Sequence, residues 1–316
     1  MTADVLTFGE TMAALRADDP LLLGGRLTLS VAGAESNVAI GLARLGHRVS
    51  WAGLTGADEF GRLVRRTLRA EGVDLAHATV TDGGPTGLVV FEPRVADLVR
   101  VSYYRTGSAG SLLTPHHVDG PLAAGARIVH LTGVTAGLGE GPRRAVEAAA
   151  RRATESGSLV CLDVNHRSRL WPRPVAAEVL RPLMAHVGIL VASDDELPLA
   201  APSSARTESE RVKALLDQGV QEVVVKRGAA GAAVFTADKE LALPAVNVPV
   251  RDTVGAGDGF VAGYLSAVLD AEPLEARLDR AVFTGAFAVA SRGDWEGLPA
   301  RHEIDLLRAE PGSALR

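Results

Sequence analysis

The chain has 316 residues, 47% hydrophobic and 22% charged, enough apolar material for a sizeable core and too much for global disorder. Its 33 basic and 38 acidic residues leave a formal net charge of −5, which argues against a general nucleic-acid or membrane-surface binder. One cysteine, Cys161, excludes an internal disulfide framework. The start MTADVLTFGE has no secretory-leader pattern and no run approaches membrane-spanning length, so a cytoplasmic protein with no membrane and no nucleic-acid partner is expected.

Short β-branched runs alternate with longer helical patterns. DVLTF (4–8) reads as a strand, and ESNVAIGLARLG (35–46) as a helix with Val38, Leu42 and Leu45 on one face and Gly46 as its stop. RVSWAGL (48–54) returns to a strand, and EFGRLVRRTLRAEG (59–72) is a helix closed by Gly72. Farther on come RIVHLTG (127–133), the helix GPRRAVEAAARRATESG (141–157), SLVCLDVN (158–165), VGILVAS (187–193), a helix ending near Gly219, and EVVVKRG (222–228). Strand, crossover helix and strand at this spacing predict a mostly parallel sheet with helices on both faces. Nearly continuous apolar strands such as EVVV suit its middle.

Two stretches break the rhythm. MAALRADDPLLLGGRLTLSV (12–31) and TGLVVFEPRVADLVRVSYYR (86–105) read as paired extended segments, the second folded across EPRVAD (92–97). They predict a small antiparallel lobe beside the main sheet, a lid or simply two solvent-exposed hairpins. As free edges, apolar lid segments such as LVVF (88–91) would invite aggregation, so two lids are expected to pair in a homodimer. Adjacent His116 and His117, read as part of a strand, would point apart, and no metal-binding Cys or His spacing occurs, so a transition-metal site is not expected.

DTVGAGDGF (252–260) packs three glycines and two carboxylates into nine positions just before an apolar helical run. It fails the dinucleotide fingerprint, because Phe260 stands at the sixth position, and it lacks the Gly-Lys pair of a nucleotide-triphosphatase loop. A helix N-terminus remains, where Gly255, Ala256 and Gly257 would offer unpaired amides to an anion. Asp258 inside such a site would repel phosphate unless it takes a proton from an attacking hydroxyl. Read alone, it serves equally as a helix cap. VVVKRGAAGAAVF (223–235) sets a Gly228-x-x-Gly231 turn at a strand end, with Lys226 before it. This is either a plain hairpin turn or a place where a nucleotide meets the backbone.

DTVGAGDGFVAGYL (252–265) resembles the second signature of the PfkB (ribokinase-like) sugar kinases, and AGAESNVAIGLARLGHRVSWAGLTGADEFG (32–61) resembles the first, with Gly33, Asn37 and Gly56-x-Asp58-x-x-Gly61. The resemblance covers nearly the whole chain. It implies an α/β, ribokinase-like fold: a mostly parallel sheet sandwiched by helices, with a small antiparallel β lid. One kinase domain would span 1–316, with the lid formed by approximately 11–32 and 86–106. It also implies an ATP- and Mg2+-dependent phosphotransferase with an alcohol acceptor. In it Asp258 is the general base, the amides of Gly255, Ala256 and Gly257 hold the transferred phosphoryl group, and Gly33 and Asn37 face the sugar. Lys226, Gly228 and Gly231 would contact ATP. Where relatives usually carry Asn-x-x-Glu, this chain has Ser193-x-x-Glu196; that implies Glu196 on Mg2+ through water and weakens direct nucleotide contact by Ser193. Without the resemblance, the same residues also read as a helix start. As in some relatives, a monovalent cation such as K+ could sit beside the Asp252 and Val254 carbonyls.

VSYYRTGSAGS (101–111), CLDVNHRSRLW (161–171), KRGAAG (226–231) and SRGDWEG (291–297) are most similar to the 2-keto-3-deoxygluconate kinase branch. That likeness brings Tyr103 and Arg105 from the lid, and Arg167 from the main domain, to a sugar acid. Arginine pairs a carboxylate bidentately, which a neutral sugar does not require. Val89 stands where that branch often has a tyrosine, which keeps a fructokinase-like activity open as an alternative. A catalytically silent sugar or nucleotide sensor is the alternative from another class.

Overall fold

The computed structural model describes residues 2–95 and 98–308. The chain opens with β1 (Ala3–Thr7), the hairpin β2 (Met12–Ala17) and β3 (Leu27–Ala32), helix α1 (Ala34–Arg44), and β4 (Val49–Trp51). A small parallel pair, β5 (Leu54–Gly56) and β6 (Thr79–Thr81), flanks α2 (Glu59–Ala70). A second hairpin follows, β7 (Leu88–Val95) and β8 (Leu98–Tyr104). The next segment holds α3 (Pro115–Ala124), β9 (Ala126–Thr132), the single turn α4 (Gly133–Ala136), α5 (Glu140–Glu155), β10 (Leu159–Asp163) and α6 (Arg173–Leu183). Then come β11 (Ile189–Ser193), the short α7 (Leu197–Ala200), α8 (Glu208–Asp217), β12 (Glu222–Lys226), β13 (Ala232–Phe235) and β14 (Glu240–Leu243). Helices α9 (Ala256–Leu269) and α10 (Leu274–Val289) complete the set.

The main sheet runs β14-β13-β12-β11-β10-β9-β1-β4, parallel from β12 to β4 and antiparallel at the β12–β13–β14 edge. Alternate residues of its strands feed two separate cores. Leu6, Val129, Leu131, Val160, Leu162, Val223 and Val225 face α3, α5, α6 and α8. Val5, Ile128, Cys161, Ile189, Val191 and Val224 face α1, α2, α9 and α10. A strand buried on both faces has no polar side to show, and this is why these runs read as continuously apolar. The expected ribokinase-like α/β architecture is present.

The two hairpins join into one four-stranded sheet, β3-β2-β7-β8. Each hairpin is antiparallel, as expected, but β2 and β7 lie parallel where the hairpins meet. Residues 92–95 of the expected EPRVAD turn continue β7, and its last two, 96–97, lie outside the described residues. The LVVF segment is not a free edge: β7 is an inner strand, and Val89, Val90 and Phe91 are buried. The exposed apolar side chains of the lid are on the outer strands, at the far end of β7 and in the β2–β3 loop instead, at Leu22, Leu23, Leu27, Leu29, Val95, Leu98 and Val99. His116 and His117 sit in α3 rather than on a strand, with His117 accepting from the Thr114 amide as part of a helix cap. Among the described residues, no helix is long and apolar enough to cross a membrane.

Candidate active site

The loop 252–255 ends on Gly255, the N-cap of α9, whose φ of 76° is the left-handed conformation that glycine adopts without strain. A Cβ there would lie 1.9 Å from the Asp294 carbonyl oxygen, so no other residue fits. No side chain caps the helix. The amides of Gly255, Ala256 and Gly257 donate no well-formed backbone hydrogen bond among the described residues, which leaves a dipole-favoured anion cradle.

Asp258 follows in the first turn but does not cap it. Its Oδ2 accepts from Asn37 Nδ2 at 2.7 Å, and its Oδ1 from Asn165 Nδ2 at 3.3 Å. Asn165 holds this position with φ of 34°, a left-handed conformation rare outside glycine. Burial pushes the Asp258 carboxyl up to about 7, against the opposing pull of the Asn37 hydrogen bond and the Arg167 charge.

Asp258 forms the floor of a cleft of about 410 Å³ between the lid and the C-terminal ends of the parallel strands. The lid contributes Val89, Phe91 and Tyr103; the core contributes Gly33, Asn37 and Arg167. Val89 is the register partner of Tyr103, so the phenol lies beside a buried valine. Arg105 Nε donates to Glu10 Oε2 at 2.6 Å, and the Ser108 hydroxyl donates to the other oxygen of Glu10. The Arg105 guanidinium stacks 5.6 Å from the Tyr103 ring centre. Arg167 is different: among the described residues its guanidinium has no hydrogen-bond or ion-pair partner, yet it lines the cleft.

A second cavity of about 720 Å³ adjoins the first, sharing Ser193, Lys226, Thr253 and Gly257 with it. Its mouth carries Gly228 and Gly231, and its walls are apolar, including Val246, Val248, Val282 and Val289. The Gly228–Gly231 turn is a hairpin, β12 to β13, and it also lines this cavity. Lys226 Nζ meets Asp163 Oδ1 at 2.9 Å and Oδ2 at 3.1 Å. Burial alone would lower the Lys226 ammonium, but the charges of Asp163 and Glu196 outweigh it and hold it above its ordinary value. Glu196 takes one backbone amide on each oxygen, His166 at 2.7 Å and Ser193 at 2.9 Å.

A family model described as "pfkB family carbohydrate kinase" matches residues 2–301. The chain belongs to the PfkB family of carbohydrate kinases. A protein named 2-dehydro-3-deoxygluconokinase from Thermoproteus tenax is 38% identical over 96% of this chain and 94% of its own length. One of the same name from Bacillus subtilis (strain 168) is 33% identical over 96% of this chain and 95% of its own. Among solved structures, a PfkB protein from Polaromonas sp. JS666 superposes with a TM-score of 0.86 at 32% identity, covering 96% of this chain and 99% of the other.

In this PfkB kinase, every site residue expected from sequence lines one cavity or the other. Several neighbours were not expected. Glu10 pins Arg105, Asp163 pins Lys226, and Asp294 lines the cleft and walls the Gly255 turn. Glu35 is buried at the start of α1, accepting from the hydroxyls of Thr132 and Thr135; burial raises its carboxyl. All four are carboxylates distant in sequence from the groups they touch; Glu35, Asp163 and Asp294 lie in stretches that carry the resemblance, but their partners were not legible there. The Gly56-x-Asp58-x-x-Gly61 signature proves to be an anchor. Asp58 accepts from the Gly61 amide at 2.7 Å, capping α2, and from the Thr86 amide at 2.8 Å, fastening the base of β7.

Proposed function

We propose that this carbohydrate kinase transfers the γ-phosphoryl group of ATP to the terminal hydroxyl of 2-keto-3-deoxygluconate (2-dehydro-3-deoxygluconate), giving the 6-phosphate. The observation that carries it is Arg167, whose guanidinium has no partner among the described residues and lies in the same cleft as Asp258. Arg167 is exposed to the cleft, so its guanidinium is open to a ligand's anion, and a sugar carboxylate pairs with it bidentately. The names of the Thermoproteus tenax and Bacillus subtilis relatives agree with this reading.

The sugar acid lies under the lid with its carboxylate on Arg167 and on Arg105, which Glu10 and Tyr103 orient. Gly33 and Asn37 close the other wall. The hydroxyl to be phosphorylated faces Asp258, which takes its proton as the bond to phosphorus forms and the bond to the leaving ADP oxygen breaks. The amides of Gly255, Ala256 and Gly257 hold the phosphoryl oxygens. ATP occupies the second cavity, with its base among the valines and its phosphates passing Gly228, Gly231 and Ser193 toward Lys226. With water excluded by the lid, ATP hydrolysis is suppressed.

Glu196 fits a hydrated Mg2+: each oxygen spends one lone pair on an amide and keeps another for water, and Mg2+ takes few protein ligands. When bound, the ion neutralises charge on the transferring phosphates. We also place the enzyme in the cytoplasm, as a homodimer joined through the lid strands. A monovalent cation beside the Asp252 and Val254 carbonyls is tested by comparing turnover in potassium and tetramethylammonium salts.

Coupled assays of kcat/KM for the keto-deoxy acid, fructose and ribose, all with ATP, test the substrate. A preference for the acid is expected; a preference for a neutral sugar overturns it. The second reading, a fructokinase-like kinase, is favoured by Val89, which withholds a hydroxyl from the cleft wall. Arg167→Ala separates the two, because it should impair the acid substrate far more than a neutral one.

A further inference from the structure

One lid side chain reaches the phosphoryl end of the cleft. Arg16, on β2, projects past the Phe91 ring, 4.0 Å from its centre, and divides its guanidinium between two carboxylates. NH1 donates to Asp252 Oδ2 at 2.8 Å, and NH2 to Asp294 Oδ2 at 2.6 Å. Both acids brace the Gly255 turn. Asp252 Oδ1 accepts from the Val254 amide at 3.1 Å, and the Asp294 carbonyl is the wall against which Gly255 is fitted. Independently, the Val254 side chain packs on the lid's inner apolar cluster of Met12, Ala14, Val89 and Phe91. The turn that presents the free amides is therefore held on both sides by lid residues.

We propose that Arg16 is a positioning residue that couples lid seating to the shape of the phosphoryl-binding turn. With β2 seated, the guanidinium offsets the mutual repulsion of Asp252 and Asp294 and fixes the loops 252–255 and 293–294 at one spacing. With β2 displaced, the two carboxylates separate and the amides of Gly255, Ala256 and Gly257 lose their common focus. This makes transfer depend on a closed lid, which is what a kinase needs to keep water from the phosphoryl group. The inference rests on the reading of that turn as the phosphoryl site.

The test compares wild type, Arg16→Ala and Arg16→Lys by steady-state kcat, KM for sugar and ATP, and thermal melting, with and without added millimolar guanidinium. Loss of about an ångström of alignment lowers kcat about a hundredfold in Arg16→Ala, with both KM values within about threefold of wild type. Guanidinium should restore much of that kcat, a response that simple loss of fold would not show. Lysine reaches one carboxylate at a time, so Arg16→Lys should fall between the two, and it decides the matter if Arg16→Ala does not fold. Turnover within about threefold of wild type in the folded variant overturns the proposal. So does a loss in folded Arg16→Ala that guanidinium leaves unchanged. Failure of the underlying reading looks different: wild type itself would then transfer no phosphoryl group from ATP to any sugar in the panel.

Discussion

A carboxyl group titrating near 7 is half ionised at neutral pH, the compromise a proton acceptor requires between availability and strength. Asp258 reaches that value through burial, with Asn37 and Asn165 as its hydrogen-bond donors. As the base it must be ionised, so kcat/KM for the sugar should fall about tenfold per pH unit below about 7 and level off above it. Asp258→Asn should lower kcat by about 10²- to 10⁴-fold while ATP affinity, read by calorimetry, changes little. The same shift carries a stability cost. Because the folded pKa lies above the ordinary 3.8, the folded protein binds more protons than the unfolded chain between those values, and stability falls as pH rises through that window. Asp258→Asn should therefore melt higher than wild type at pH 8, with the gap narrowing toward pH 5. A variant less stable at pH 8 would show that the carboxylate is not strained by burial. At this scale the glycine turn and the acid in the first turn of α9 were legible from one nine-residue stretch, because they are consecutive in the chain. The choice between helix cap and proposed base came only with the family resemblance. Asp163 and Glu10 were not, because what they touch is decided by strand order.

The elements act by where they end. Strands β11 and β12 stop in register at Ser193 and Lys226, and β10 stops two positions short at Asp163, opposite Val191, where the Lys226 ammonium reaches it. The Asp163–Lys226 pair is buried, and removing one charge leaves the other uncompensated. Asp163→Asn should cost about 3 kcal/mol of stability and raise KM for ATP, checked by denaturant unfolding and initial rates. An unchanged KM would detach Lys226 from the nucleotide. At the start of α9 the demand is steric. Gly255→Ala forces a Cβ onto the Asp294 carbonyl at positive φ, so the loop must move. The variant should lose nearly all turnover while the main sheet stays intact by circular dichroism. Helices and strands were readable from their periods and glycine stops, and α1, α2 and α8 each end two residues before Gly46, Gly72 and Gly219. The parallel β2–β7 junction was not readable, because strands far apart in sequence pair by tertiary fit, not by a local turn.

Across the whole molecule, the lid is half cover and half surface. Its inner face packs on the cleft and on Val254, while its outer strands and the 21–23 loop expose leucines and valines. Such a patch on a sheet with open edges is a site for pairing. Light scattering at micromolar concentration should give twice the chain mass, and a monomer would reject lid-to-lid assembly. Replacing Leu22 and Leu98 with glutamate should shift the equilibrium toward monomer without unfolding the core, since both side chains are largely exposed.

By itself, the sequence determined the fold class and the family, and it marked Asp258 as the candidate base. Each of these depends on spacing along the chain: alternation of strand and helix, two signatures in order, and an acid three residues into a helix. The tertiary structure alone decided which acids hold which bases, that Arg167 shares the cleft of Asp258 with no partner among the described residues, and that Arg16 on the lid clamps Asp252 and Asp294. Those pairs join residues as much as 278 positions apart. Charge pairing at that range leaves no local pattern, because it depends on which strand ends the packed core brings together.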